Sequence, residues 1–150
     1  YNHIVKRGID FVGVSIVFHC HDGEGNFVMG KRSKTTRDER GRWDQGGGAL
    51  EFGEKAEDAL KREIREEYGT DVLDYEFLGF MDVHRMDHNK NKTHWIALCH
   101  KVLVDRKKVK NASPKDHDEV GWFTLDNLPS PLHSQMPLFL KKYRKRLVAK

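Results

Sequence analysis

The sequence predicts an α+β fold, with one mixed β-sheet and at least two helices. Three observations predict it. Five runs rich in β-branched and aromatic residues are separated by turn chemistry, and two stretches carry a helical pattern. No repeat, linker or low-complexity segment interrupts the 150 residues, a length that suits a single domain over residues 1–150 with a real core.

The elements follow in order. IDFVGVSIVFH (9–19) is long enough for a well-buried strand, and HDGEGN (21–26) is turn chemistry. FVMGKR (27–32) then returns as a hairpin strand. Polar residues 33–42 form a loop that ends at Trp43. After Gly46, Gly47 and Gly48, residues 55–68 read as a helix that stops at Gly69. Residues 75–85 and 93–104 read as strands around the polar turn MDHNKNK, and 105–116 as a loop. DEVGWFTL (118–125) is a short strand, and 134–147 a final helix.

Composition narrows the function classes. No apolar run approaches the roughly 18 residues of a membrane span, and no secretory signal opens the chain. The first residue is Tyr1 rather than Met, which leaves the natural N-terminus open. Cys20 and Cys99 form no CxxC pair, so reduced thiols and a cytoplasmic setting are expected. Lys and Arg number 27 against 23 Asp and Glu, and much of the excess lies in KKYRKRLVAK (141–150). That tail is expected to be a solvated helix face, because nucleic-acid binding would need interleaved exposed aromatics and only Tyr143 is there. The net charge of +4 is compatible with a phosphate-bearing ligand.

The feature that demands an explanation is a row of glutamates. At about 100° per residue, with Glu63 at zero, Glu66 falls at about 300° and Glu67 at about 40°. Ala56, Ala59 and Leu60 share that arc, so the glutamates continue the inward stripe of the helix. A salt-bridged surface helix accounts for Glu57 with Lys61 and Asp58 with Arg62, but not for like charges at Glu63 and Glu67. A divalent cation resolves the repulsion, since hard oxygen ligands converge on Mg²⁺. The three glycines before the helix allow the backbone to approach such an ion closely.

Gly48, five residues, Glu54, seven residues, then Arg62-Glu63-Ile64-Arg65-Glu66-Glu67-Tyr68-Gly69 resembles the Nudix box. Every charged and glycine position of that signature is filled. Thr70 stands where the family usually has an aliphatic residue, and Gln45 or Gly46 where it often has proline. The strand order also resembles the Nudix fold, which implies a mixed sheet sandwiched between helices (α/β/α).

The resemblance implies a hydrolase of a nucleoside diphosphate linked to another group, using Mg²⁺ or Mn²⁺. It implies Glu63, Glu66, Glu67 and the Gly47 carbonyl as metal ligands, Arg62 as their orienter, and Glu54 as a brace for the loop and helix. Glu119 is the favoured general base and a further metal ligand, with Asp118, Asp82 and His84 behind it. Arg32 resembles a phosphate-contacting arginine of members that cleave nucleoside triphosphates, with Lys31 beside it. Asp10, Trp43, Trp95 and Phe123 are candidates for holding a base, although core packing is favoured for at least two of the three aromatics. His133 and Ser134 open the last helix near where some relatives read the base.

The expected partner is a nucleotide substrate, without membrane or nucleic acid, and a homodimer is left open. By elimination of the ADP-ribose, diadenosine polyphosphate and coenzyme A signatures, the resemblance points to a nucleoside triphosphate, oxidised ones included, cleaved to monophosphate and pyrophosphate. An NDP-sugar or other NDP-linked substrate, a non-catalytic nucleotide-binding domain and an RNA-end processing enzyme are the alternatives.

Overall fold

Ile16, Phe18 and Cys20 pack to one side of the first long strand, and Val17 and His19 to the other. That alternation splits the interior into two cores. The computed structural model describes residues 4–148. Its strands are β1 (Gly13–His21), β2 (Phe27–Arg32), β3 (Trp43–Asp44), β4 (Gly47–Ala49), β5 (Asp74–Met86), β6 (Lys92–Leu103) and β7 (His117–Phe123). The helices are α1 (Ala56–Tyr68) and α2 (Met136–Val148).

The strands form one seven-stranded sheet in the order β3-β2-β1-β6-β5, with β4 paired to β1 and β7 to β2. The pairing of β1 with β6 is parallel and the others are antiparallel, which makes the sheet mixed. Ala59, Leu60, Ile64 and Tyr68 seat α1 on Ile16, Phe18 and Val102 of one sheet face. Met136, Phe139, Leu140, Tyr143 and Leu147 seat α2 on the other face, against Phe27, Met29 and Cys99. The architecture is the α/β/α sandwich that the sequence resemblance implied.

Several boundaries depart from the sequence reading. β1 starts at Gly13 rather than residue 9, because the backbone turns first: Gly8 N–H donates to Phe11 O at 2.7 Å, and Lys6 O accepts from Ile9 and Asp10. Ile9, Phe11 and Val12 are consequently exposed, despite their apolar character. The β1–β2 hairpin is paired only at His21 and Phe27. Beyond that point β2 turns to β7 and β3, while β4 takes the edge of β1. The short strands β3 and β4 were not legible, since two residues of Trp-Asp and a glycine run carry no alternation. α2 begins at Met136 rather than 134, after a turn in which Met136 N–H donates to His133 O.

The basic tail is ordered by the sheet edge. Lys142 Nζ donates to Phe80 O at 2.7 Å, and Arg146 donates to Leu78 O at 2.7 Å and Phe77 O at 3.0 Å. These cations satisfy carbonyls of the edge strand β5 that would otherwise be free to template another strand. Tyr143 is buried rather than exposed. The last two residues of the tail, 149 and 150, lie outside the described residues.

Candidate active site

Glu63, Glu66 and Glu67 all line a cleft of about 500 Å³, together with Gly46, Gly47 and Gly48. α1 presents Glu63 and Glu67 half-buried, on the shoulder of its apolar stripe, whereas Glu66 is exposed at the outer edge. The turn that puts glycines opposite them is held from below. Tyr68 Oη donates to Gln45 O at 2.7 Å, tying the end of the helix to the start of the glycine run.

A side chain would be crowded at all three positions, and a Cβ on Gly47 would sit 2.5 Å from the Ile16 carbonyl oxygen. A Cβ on Gly48 would sit 2.1 Å from Glu63 Cδ, and one on Gly46 would sit 2.6 Å from Glu67 Oε2. Gly46 also has φ of +118°, a conformation that side chains disfavour. Two carboxylates are therefore packed directly onto bare backbone.

Arg62 gathers the acidic groups. It donates to Glu54 from Nε at 2.7 Å and from Nη2 at 2.9 Å, a bidentate fork. Its Nη1 donates to Glu63 Oε1 at 2.8 Å and reaches Glu66 Oε2 at 3.3 Å. Glu54 in turn accepts the Glu51 N–H at 3.2 Å, which fixes the loop before α1.

Glu67 has no such arginine. Its Oε2 is sealed from solvent and takes no hydrogen bond among the described residues. Burial pushes the Glu67 carboxyl well above the usual range, and Asp44 and Glu63 add to the effect, against the Gly47 N–H and Arg32. Burial also raises Glu63, with Glu66 and Glu54 adding repulsion that Arg62 opposes. Two acidic groups are thus held where ionisation is disfavoured unless a cation joins them.

The opposite wall is cationic. Arg32 donates to Asp38 Oδ1 at 2.9 Å and Asp38 O at 3.0 Å, and lies 3.6 Å from Asp44 Oδ2. Arg85 lies 3.3 Å from Asp38 Oδ2 and against His133 Nε2. Burial pushes the Asp44 carboxyl up, but His133, Arg32 and Arg85 outweigh it and hold the carboxyl below its usual range. Burial lowers the His133 imidazole, against the pull of Asp44. Arg37 lies with its guanidinium 4.7 Å from the Trp95 ring centroid. Trp95 lines the cleft while almost fully buried.

Other sequence-predicted residues fall elsewhere. Glu119 is exposed and does not line the cleft. Val120 and Trp122 pack toward α1, so alternation along β7 puts Glu119 on the α2 side of the sheet, where it is exposed and outside the cleft lining. Its neighbours Asp116 and His117, at the irregular start of β7, take the place beside the cleft. Lys31, paired with Glu119 and Trp43, is also outside the cleft. Trp43 is buried in the α2-side core, edge-on to the half-buried Phe123 at 5.1 Å, and neither ring lines the cleft. Asp10 lies in the turn before β1, away from the cleft lining. Asp118 is exposed. Asp82 and His84 alternate with the cleft-lining Val83 and Arg85, and so lie on the far face of β5. His133 lines the cleft as expected from the sequence, while Ser134 is spent on Glu39, to which its N–H donates at 2.7 Å.

Glu119→Gln is accordingly expected to keep turnover within a few-fold of the parent in steady-state assays. A loss on the order of 10²-fold, the size seen when a direct transition-state contact is removed, would return Glu119 to the site.

Asp44, Arg37 and Arg85 were not singled out from the sequence. Asp44 stands two residues before the glycines, and only that adjacency signalled it.

Over residues 11–143 the sequence matches the family profile described as NUDIX domain. The chain belongs to the Nudix family. The MutT Nudix hydrolase from Burkholderia pseudomallei has a similar structure, with a TM-score of 0.73 and 28% identity over 87% of this chain and 96% of that one. The MutT protein from Methanosarcina mazei Go1 gives 0.75 with 21% identity, over 92% and 96%. The Nudix domain of Shewanella oneidensis NrtR, solved with ADP ribose, gives 0.70 with 16% identity, over 91% and 89%. The resemblance read from residues 48–70 therefore identified the right family, and the chain is a Nudix hydrolase. The family generally carries out metal-dependent hydrolysis of nucleoside diphosphate derivatives. Among the described residues, no helix is long and apolar enough to cross a membrane.

Proposed function

We propose that this Nudix hydrolase cleaves a nucleoside triphosphate to the monophosphate and pyrophosphate, with Mg²⁺ or Mn²⁺ held by Glu63, Glu66, Glu67 and the Gly47 carbonyl. The observation that carries the reading is the buried, unbonded Glu67 Oε2, set against Glu63, Asp44 and side-chain-free glycines. An all-oxygen donor set fits a hard divalent cation, and the orphaned oxygen fits a missing ligand partner.

When bound, the ion neutralises charge on phosphate oxygens and acidifies the attacking water. The chain's own groups do the rest. Arg62 holds Glu63 and Glu66 in place and braces them through Glu54. Arg32, Arg37 and Arg85 form the anion-attracting wall, where charge on a polyphosphate is offset away from the glutamates. The proton released by the water passes to a carboxylate of the cleft rather than to Glu119. His133, fixed by Arg85 and by the Gln135 N–H at 3.1 Å, closes the end of the cleft toward α2. The buried free thiols of Cys20 and Cys99 support a reducing, cytoplasmic setting.

A substrate panel with Mg²⁺ and with Mn²⁺, scoring phosphate and pyrophosphate separately, tests this. Pyrophosphate release from one or more nucleoside triphosphates is expected, abolished by chelator and restored by either metal. Turnover confined to NDP-sugars would replace the substrate, and full turnover in chelator would remove the metal. Nucleotide binding without any turnover would leave the non-catalytic reading.

A further inference from the structure

On the face of β5 and β6 turned away from the cleft lining, three donors of two chemical kinds converge. We propose that Asp82, His84 and His94 form a second cation site, for a borderline transition ion such as Zn²⁺.

Strand register builds the cluster. His84 and His94 are direct partners across the antiparallel β5–β6 ladder, and Asp82 precedes His84 by two residues on the same strand. Side chains two apart on a strand share a face, and direct cross-strand partners have Cβ atoms about 4.5–5.5 Å apart. One donor atom from each of the three residues lies within 4.8 Å of the others. The two imidazoles stack at 4.1 Å between centroids and 26° between planes. His94 Nε2 already contacts Asp82 Oδ1 at 3.2 Å, so the donors are gathered before any ion arrives.

The donor types separate this cluster from the cleft. Two imidazoles and one carboxylate suit Zn²⁺ or its neighbours in the transition series, whereas the cleft's carboxylates and carbonyl suit Mg²⁺. Asp82 and His84 are exposed and His94 is half-exposed, so an ion reaches them without opening the core. A surface recess of about 320 Å³ adjoins His84 and His94 and is bounded by Gly8 and Val12. Three protein donors, two of them bordering that recess, leave the remaining coordination position to water or an incoming small ligand. Lys92 also borders the recess, and its charge opposes cation binding there.

The test does not depend on the hydrolase reading. Zn²⁺ alone is titrated into the full chain by calorimetry, in buffer holding millimolar Mg²⁺ to occupy the cleft's oxygen donors. One Zn²⁺ per chain is expected. His94→Ala and the isosteric Asp82→Asn are each expected to weaken that binding by tenfold or more, while Glu67→Gln leaves it unchanged. Circular dichroism and Mg²⁺-dependent turnover of His94→Ala should match the parent, which separates lost ligation from lost fold. Unchanged Zn²⁺ affinity in both surface variants overturns the proposal. So does loss of Zn²⁺ binding in Glu67→Gln alone, which would place the ion in the cleft.

Discussion

Glu67→Gln is expected to lower turnover by on the order of 10²-fold or more, the loss typical of removing one group that acts directly on the transition state. Gln keeps the shape of Glu67 and its contact with the glycine backbone, so the change is one of charge rather than packing. The same substitution is expected to stabilise the metal-free protein at neutral pH, and the sign follows from linkage. Burial, Asp44 and Glu63 raise the proton affinity of Glu67 in the folded protein above that in an unfolded chain. Stability from this group is therefore complete below the ordinary Glu range, near pH ~4.3, and is lost as pH rises through the elevated folded value. Gln cannot ionise, so the difference in melting temperature between variant and parent should be absent at low pH and grow toward pH 7. Added Mg²⁺ should reverse it, stabilising the parent more than the variant. A variant that melts below the parent in chelator, or retains parental turnover, would show that Glu67 is not the strained ligand described here. Glu57→Gln, on the solvent side of α1 and paired with Lys61 at 3.1 Å, is the control and should change neither quantity appreciably.

Arg62→Lys is expected to be nearly as damaging, at roughly 10²-fold in kcat/KM, although the charge is retained. One guanidinium holds Glu54 by a two-bond fork while contacting Glu63 and Glu66, and it lies 3.3 Å from Ala49 O. An ammonium is a point charge and cannot reproduce a planar fork that serves several partners at once. The glutamates would still be present but differently aimed, and aim matters when a 1 Å displacement can cost about 10²-fold. The signature is a raised metal concentration for half-maximal activity, combined with normal folding by circular dichroism. Unchanged metal dependence in Arg62→Lys would mean that Glu63 and Glu66 are positioned by α1 alone.

The sequence by itself determined the family, the sandwich of helices on a mixed sheet and the glutamate face of α1. These rest on local, periodic information. The helical period carries Glu63 and Glu67 onto the shoulder of the Ala59–Leu60–Ile64 stripe, and the strand runs announce themselves by composition. Even there the wheel overstated Glu66, which is exposed at the edge, because an angle ranks residues without saying where the neighbouring surface ends.

The tertiary structure alone decided what stands opposite the glutamates. Asp44 comes within electrostatic reach of Glu67 because β3 pairs with β2 and because Tyr68 pins Gln45 across 23 residues of chain. Arg85 joins Arg32 through Asp38, and this pairing of β5 with the 33–42 loop leaves no periodic mark. Glu119 shows the converse. Its carboxylate beside an aromatic pair looked like site chemistry, yet Glu119 is exposed outside the cleft lining, and the irregular pairing at the start of β7 puts His117 beside the cleft. A strand inverts every side chain with a one-residue shift, and the shift is set by pairing partners elsewhere in the chain. Residues on α1 were readable because their facing is local. Those on paired strands were not, because the partner decides the face.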